Sequence, residues 1–345
     1  MVQINISDLF TNPDFYLFGL DDDHALFLPM DRASYARSIF FDARIKPLQQ
    51  QMIRVPLPPL FAAMLHRHIP VPDICWIFHM AHTGSTLLSR ALDRAGENLV
   101  IREPMTLRAL GVTAGATVDR EPVPKDRLGL AIAMLDRRYA ADQAVIVKAN
   151  VPVNWIIPDL LERSPSPKAI FLHFGLEDYL TAILRSPNHR KWVDHVSAEI
   201  RLGDHPEIGP LDKLDNAEKA AALWLYQIRL YSRALETYPG THSLDANTLF
   251  DQPALSLKTS SDYFECPISD GEVQKIVSGD LFATYAKNPG AAFDNSRRKA
   301  RVAEARLALA SDIELARRWV EPRLSSMPLP TRLANPLCGE NSALF

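Results

Sequence analysis

The stretch FHMAHTGSTLLSRALD, residues 78–93, sets a small-residue turn between an apolar run (Ile74-Cys75-Trp76-Ile77-Phe78) and a helical pattern of Leu87, Leu88, Ala91 and Leu92. Thr83, Gly84, Ser85 and Thr86 occupy the turn. A loop that leads from a strand into a helix presents unpaired backbone N–H groups at the positive end of the helix dipole, and such a loop cradles an anion. Glycine allows the backbone to come close to the ligand, and the three hydroxyls add donors. The lysine that follows the glycine in triphosphate-binding loops is absent, because Ser85 stands there. Transfer of a γ-phosphate normally relies on that lysine and a metal to neutralise charge. The loop therefore predicts anion binding rather than triphosphate hydrolysis. The same residues also describe an ordinary helix capped by Thr83 or Ser85. His82 can donate one hydrogen bond when neutral and act as a cation when protonated, or it is a loop histidine facing water.

Two more chemically able side chains stand where strand patterns end. Glu103 follows Leu99-Val100-Ile101, and Lys148 follows Ala144-Val145-Ile146-Val147. A carboxylate facing the cradle can take a proton from a nucleophile. An ammonium beside it can stabilise charge on an oxygen whose bond is breaking. Glu103-Pro104 also has the form of a helix start, and Lys148 that of a solvated strand end; the residues alone leave both readings open. Arg185, Ser186, Arg190 and Lys191, and further on Arg297, Arg298 and Lys299, suit a second anionic group or a solvated helix face.

Positioning these residues requires strands that alternate with helices. Strands are expected at 74–80, 99–101, 144–147, 169–172 and 242–245, with helices at 85–95, 127–139, 156–162, 177–184 and 217–237. That alternation predicts an α/β fold, a parallel sheet with helices on both faces. Ahead of it, residues 1–73 read as an extension. Phe15-Tyr16-Leu17-Phe18 and Ala25-Leu26-Phe27-Leu28 flank an acidic turn and suggest a hairpin. Residues 35–45 read as strand or irregular structure, and 60–65 as a short helix. The second half is mostly helical, with one long basic helix over 296–318 and a tail over 321–345.

The order Ala81-His82-Thr83-Gly84-Ser85-Thr86-Leu87-Leu88 resembles the 5′-phosphosulfate loop of the sulfotransferases, where a lysine or arginine usually stands at the place of His82. Glu103 lies where several branches of that family carry a glutamate base, and Lys148 ends the third strand as the lysine of the family's K-x-P segment does. Trp224 and Gln227 are similar to its W-x-x-Q stretch, and Ser243–Leu249 to its Y-E-D-L strand end, before a basic C-terminal segment. The resemblance covers roughly residues 74–320. It implies a P-loop-like fold and PAPS (3′-phosphoadenylyl sulfate) as co-substrate, without a metal. Glu103 would be the base, with His82 and Lys148 assisting; His82, Thr83, Gly84, Ser85, Thr86, Arg185, Ser186, Arg190, Arg297 and Arg298 would bind the donor. One departure is plain. The family's fourth strand ends in Arg-Asp-Pro, with a serine further on, to hold the 3′-phosphate; here Phe174 replaces the arginine, and Ala182 falls near the serine, beside Thr181. Arg185-Ser186 and Arg190-Lys191 are the expected substitutes.

The net charge of −3 gives no global reason to expect a nucleic-acid or anionic-membrane partner, so a basic site must be local. A hydrophobic content of 47% and a charged content of 23% fit a globular chain. No apolar stretch approaches the roughly 20 residues of a membrane helix. The opening MVQINISDLFTNPDF lacks a basic start followed by an apolar core, so no secretory signal is expected. Cys75, Cys266 and Cys338 are widely spaced, with no metal pattern, and fit a reducing, cytoplasmic setting. The expected activity is sulfuryl transfer from PAPS to a hydroxyl or amine of a small-molecule or peptide acceptor. The rival readings are a small-molecule kinase on the same fold and a non-catalytic nucleotide- or anion-binding protein.

Overall fold

The computed structural model describes residues 5–66, 71–115, 122–285, 288–292 and 294–345. Five short strands, β4 (Ile74–His79), β5 (Asn98–Arg102), β6 (Ala144–Lys148), β7 (Lys168–His173) and β8 (His242–Asp245), form one parallel sheet in the order β5-β6-β4-β7-β8. A smaller antiparallel sheet precedes it, made of β1 (Phe15–Leu20), β2 (His24–Pro29) and β3 (Ile53–Pro56). β4 to β7 are continuous apolar runs because both faces are covered, whereas the edge strand β8 has polar His242, Ser243 and Asp245 around Leu244. Alternate residues feed two cores: Trp76, Phe78, Val145, Val147 and Phe171 face one side, and Cys75, Ile77, Ile146, Ile170 and Leu172 the other. Cys75 is thus a buried structural thiol, and burial pushes its pKa up.

On the first face lies the 22-residue helix Asn216–Thr237, opened by a capping box between Asp215 and Glu218 and carrying the buried Leu223, Trp224, Gln227 and Tyr231. The N-terminal sheet joins that same core through Tyr16 and Leu28, and the segment after it through Tyr35 and Phe41. The helix Ser85–Leu92 covers the opposite face.

The hairpin with the acidic turn forms as expected, Phe15 pairing with Pro29 and Leu20 with Ala25. One expectation holds in part and another is corrected. Residues 38–45 are irregular, one of the two readings given for 35–45, whereas 35–37 close a short helix, Arg32–Arg37, which is capped where the Asp31 carboxylate accepts from the Ser34 N–H at 2.6 Å. Residues 296–318 are not one helix. Asn295–Ala308 ends at Leu309, and Ala310–Val320 begins a new direction. Only the second piece has an apolar stripe to bury (Ile313, Ala316, Trp319, Val320), so the chain turns at Leu309 to lay it on the core. No described helix is long and apolar enough to cross a membrane.

Residues after 330 return along the edge of the sheet. Ser243 N–H donates to Asn335 O at 3.0 Å, and Leu337 N–H to Ser243 O at 2.8 Å. Leu176 N–H donates to Leu344 O at 2.8 Å, and Ser342 N–H to the Asp245 carboxylate at 2.8 Å. The tail thereby covers the carboxyl ends of β7 and β8.

One contact sets the distance between the segments that follow β5 and β6. In the helix Met105–Ala114, Gly111 lies so close to the turn after β6 that a Cβ would stand 2.3 Å from Pro152 O. In a helix with free space, Gly→Ala stabilises by about 1 kcal/mol. Here the sign should reverse: Gly111→Ala is expected to destabilise by about 1–3 kcal/mol. Urea unfolding checks it, and a rise in stability would contradict the tight contact.

Candidate functional site

After β4 the chain turns through Met80–Gly84, and two left-handed residues shape the turn. His82 has φ of 67° and Gly84 has φ of 83°. Histidine is among the few side-chain-bearing residues enriched in that region. Gly84 is required twice over, since a Cβ would also stand 3.0 Å from both Leu249 and Phe250 side-chain atoms. Thr83 is buried, and its hydroxyl donates to Met80 O at 2.8 Å, pinning the turn from within. That bond answers one open question. Thr83 does not cap the helix, and the N-cap position, Gly84, supplies no side-chain hydrogen bond to it. The opening N–H groups of Ser85–Leu92 are thus left to the loop.

Glu103 follows β5 in a left-handed conformation, with φ of 60°. Such a backbone costs of the order of 1 kcal/mol or more in a residue other than glycine. It is held there by its own N–H, which donates to Lys148 O at 2.7 Å. The twist delivers the Glu103 carboxylate to the Lys148 ammonium, with which it forms an ion pair and hydrogen bond. Lys148 is wholly buried, whereas the Glu103 carboxylate keeps a 14% exposed face. Lys148 Nζ also lies 3.5 Å from Thr86 Oγ1, in the first turn of the loop's helix. The arrangement therefore joins the ends of β4, β5 and β6 through Thr86, Glu103 and Lys148. Arg44, from the N-terminal segment, reaches the outer carboxylate oxygen at 3.9 Å and lies over the Phe40 ring at 3.7 Å.

The remaining candidates are placed unequally. Arg298 stacks on Phe250 at 4.3 Å, and Phe250 is the ring that abuts Gly84, so this arginine belongs to the mouth of the loop. Phe250 is carried on the helix Ala246–Asp251, tied down where Asn247 Nδ2 donates to Asp178 at 2.7 Å. Arg297 is exposed and reaches its own helix cap, Asp294, at 3.8 Å. Arg190 is engaged from two sides, by the Asp312 carboxylate at 2.9 and 3.2 Å and by Leu184 O at 3.0 Å. Ser186 caps the helix Pro187–Glu199, accepting from His189 N–H at 3.3 Å. Arg185 and Lys191 are exposed.

Phe174 is buried, and its carbonyl accepts from Trp224 Nε1 at 3.0 Å. At the next residue, a Cβ on Gly175 would stand 2.6 Å from Ala343 O. The end of β7 is therefore a packed corner under the tail, and just beyond it Arg317 and Arg306 pair with Glu177 and Asp178. Gln227 is likewise structural: it accepts from Asn154 Nδ2 at 2.8 Å, and Asn154 Nδ2 also donates to His79 O at 3.1 Å. His173 is fully buried, and burial holds its imidazole below the ordinary value although Asp245 pulls the other way. Arg44, at the Glu103 carboxylate, and His189 were missed from sequence. His189 packs its ring 4.2 Å from that of His82, at 47°. Both are single histidines far apart in the chain, and no local pattern joins them.

Among the described residues, no three His, Cys, Asp or Glu side chains are grouped as metal ligands. The parallel sheet with its glycine loop after the central strand defines an α/β fold of the P-loop kind, with the candidate site at the carboxyl ends of the strands. No family model matches the chain, and no curated protein matches it.

Two outcomes follow from this geometry. Removing one partner of a buried ion pair leaves the other charge uncompensated, at about 3–5 kcal/mol. Glu103→Ala should therefore cost about 3 kcal/mol in urea unfolding, and adding Lys148→Met should recover part of it. A double variant as weak as the sum of the singles would show that the pair is not coupled. His173 gives a pH signature. Its folded pKa lies below the unfolded value of about 6.5, so its contribution is full above that pH and is lost as pH falls. His173→Gln should make stability less sensitive to acid between about pH 6.5 and pH 5, as read by thermal unfolding across that range.

Proposed function

We propose that the protein transfers a sulfuryl group from PAPS to a hydroxyl or amine acceptor. The observation that carries this reading is the convergence of an uncapped glycine loop with the Glu103–Lys148–Thr86 cluster at one end of the sheet. The loop N–H groups receive the 5′-phosphosulfate. Glu103, with its exposed edge, takes the proton from the attacking hydroxyl as the new O–S bond forms and the S–O bond to the phosphate breaks. Proton uptake weakens the hold of Glu103 on Lys148. The ammonium, already within 3.5 Å of Thr86 Oγ1, can then stabilise the departing phosphate oxygen. His82 and Arg298 flank the mouth, and Arg298 is the cation best placed to meet the 3′-phosphate.

A second reading draws on the β7 corner. Phe174 is packed there and Arg190 is bound to Asp312, which favours a protein that holds a nucleotide or another anion without discriminating a 3′-phosphate and without turnover.

Calorimetry with 3′,5′-ADP separates the two. The proposal expects saturable binding that Gly84→Val abolishes, and a loss on Arg298→Ala at least tenfold greater for 3′,5′-ADP than for 5′-AMP. Glu103→Gln should retain 3′,5′-ADP affinity while PAPS-dependent transfer falls roughly a hundredfold or more. Equal affinity for 3′,5′-ADP and 5′-AMP in the parent would support the second reading, and tighter binding of ATP with Mg²⁺ would point to phosphoryl transfer.

A further inference from the structure

A second cavity, of about 460 Å³, lies on the outer face of the helix Asn216–Thr237, and none of its lining residues belongs to the loop cluster. Its volume is within the usual range of small-molecule sites, about 300–1,000 Å³. One wall is aromatic. Trp155 and Tyr226 stack with their rings 5.8 Å apart and only 4° from parallel, and His205 stands edge-on to Tyr226 at 5.0 Å.

Beside Tyr226, on the same helix, the lining is cationic. Arg229 and Arg233 are four residues apart on one helix face and both line the cavity. Like charges at this spacing oppose each other and weaken a helix. Elsewhere on this chain arginines are commonly held by a carboxylate, as Arg108 is by Glu199 and Arg190 by Asp312. Neither Arg229 nor Arg233 forms an ion pair or a side-chain hydrogen bond with any described residue. Burial and the neighbouring Arg233 charge both hold the Arg229 guanidinium below its ordinary value. The nearby acid is Glu207, whose carboxylate accepts instead from Ser326 Oγ at 2.8 Å.

One further donor is left for a ligand. At His205, Nδ1 accepts from the Glu207 N–H at 3.2 Å, which assigns the ring proton to Nε2. Burial, with Arg229 next, keeps the imidazole neutral to lower pH than usual.

We propose that this cavity binds a small planar ring that bears a phosphate or carboxylate group. The ring would lie against the Tyr226–Trp155 wall, and the anion would bridge the two guanidiniums. An aromatic wall beside paired guanidiniums suits that combination better than either half alone, because ring stacking and charge-assisted hydrogen bonding then add. The proposal does not rest on sulfuryl transfer.

Calorimetry on the full-length protein tests it with phenyl phosphate and benzoate as probes and with inorganic phosphate and phenol as controls. At least one probe should bind at one site, tenfold or more tighter than both controls. Which of the two binds better identifies the anionic group. Arg229→Gln with Arg233→Gln should weaken the probe at least tenfold. Arg233→Gln alone, at an exposed position, should weaken it at least threefold with unfolding unchanged. Gly84→Val should leave it unaffected, even though that variant empties the loop. The proposal is overturned if the parent shows no saturable binding, if inorganic phosphate binds as well as both probes, or if the arginine variants bind like the parent. Loss of the probe in Gly84→Val would likewise place it at the loop.

Discussion

A lysine ammonium without solvent contact stays charged only if a counter-charge reaches it. Lys148 occupies that position at the end of β6, and much of the surrounding structure follows from it. Its partner cannot come from its own strand, whose neighbouring side chains are apolar. Glu103, at the end of the adjacent strand, reaches it only by adopting a left-handed backbone, and the hydrogen bond from Glu103 N–H to Lys148 O holds that backbone in place. The strain and the ion pair are two sides of one arrangement. Proteins keep such local costs mainly where geometry is used for function.

Around this pair the chain closes from several directions. The Phe40–Arg44 segment comes from the N-terminal region, Thr86 from the loop's helix, and the close Gly111–Pro152 contact sets the spacing between the segments that follow β5 and β6. The carboxylate retains a narrow exposed edge while the ammonium has none. A group meant to exchange a proton needs access, and a group meant to stabilise charge gains from low dielectric. The difference in exposure matches those two roles.

The cations are distributed in a way that a count along the chain does not suggest. Asp312 holds Arg190 away from the loop, whereas Phe250 and Asp251 hold Arg298, from a distant helix, at its edge. At the end of β7, the tail and Trp224 fill the corner that a phosphate would otherwise enter. In the sulfuryl-transfer reading proposed above, the donor nucleotide lies toward the Phe250 and Arg298 side.

The amino-acid sequence by itself determined the local periodicities. Continuous apolar runs marked four of the five parallel strands, Gly84 among hydroxyls marked the loop after the central one, and Glu103 and Lys148 were legible because they stand within two residues of where such runs stop. Each of these signals lies within a few residues, so short-range sterics and burial suffice to express it. The break at Leu309 was not legible, because the basic 295–308 stretch is helical either way and only packing of Ile313 and Trp319 turns the chain. The tertiary structure alone decided which arginine is engaged, that His189 meets His82, that the tail seals the β7 corner, and that Glu103 and Lys148 form one buried pair. These are meetings between residues distant in the chain. They depend on how whole elements pack, and a side chain's partner is set there by three-dimensional proximity, which no local pattern encodes.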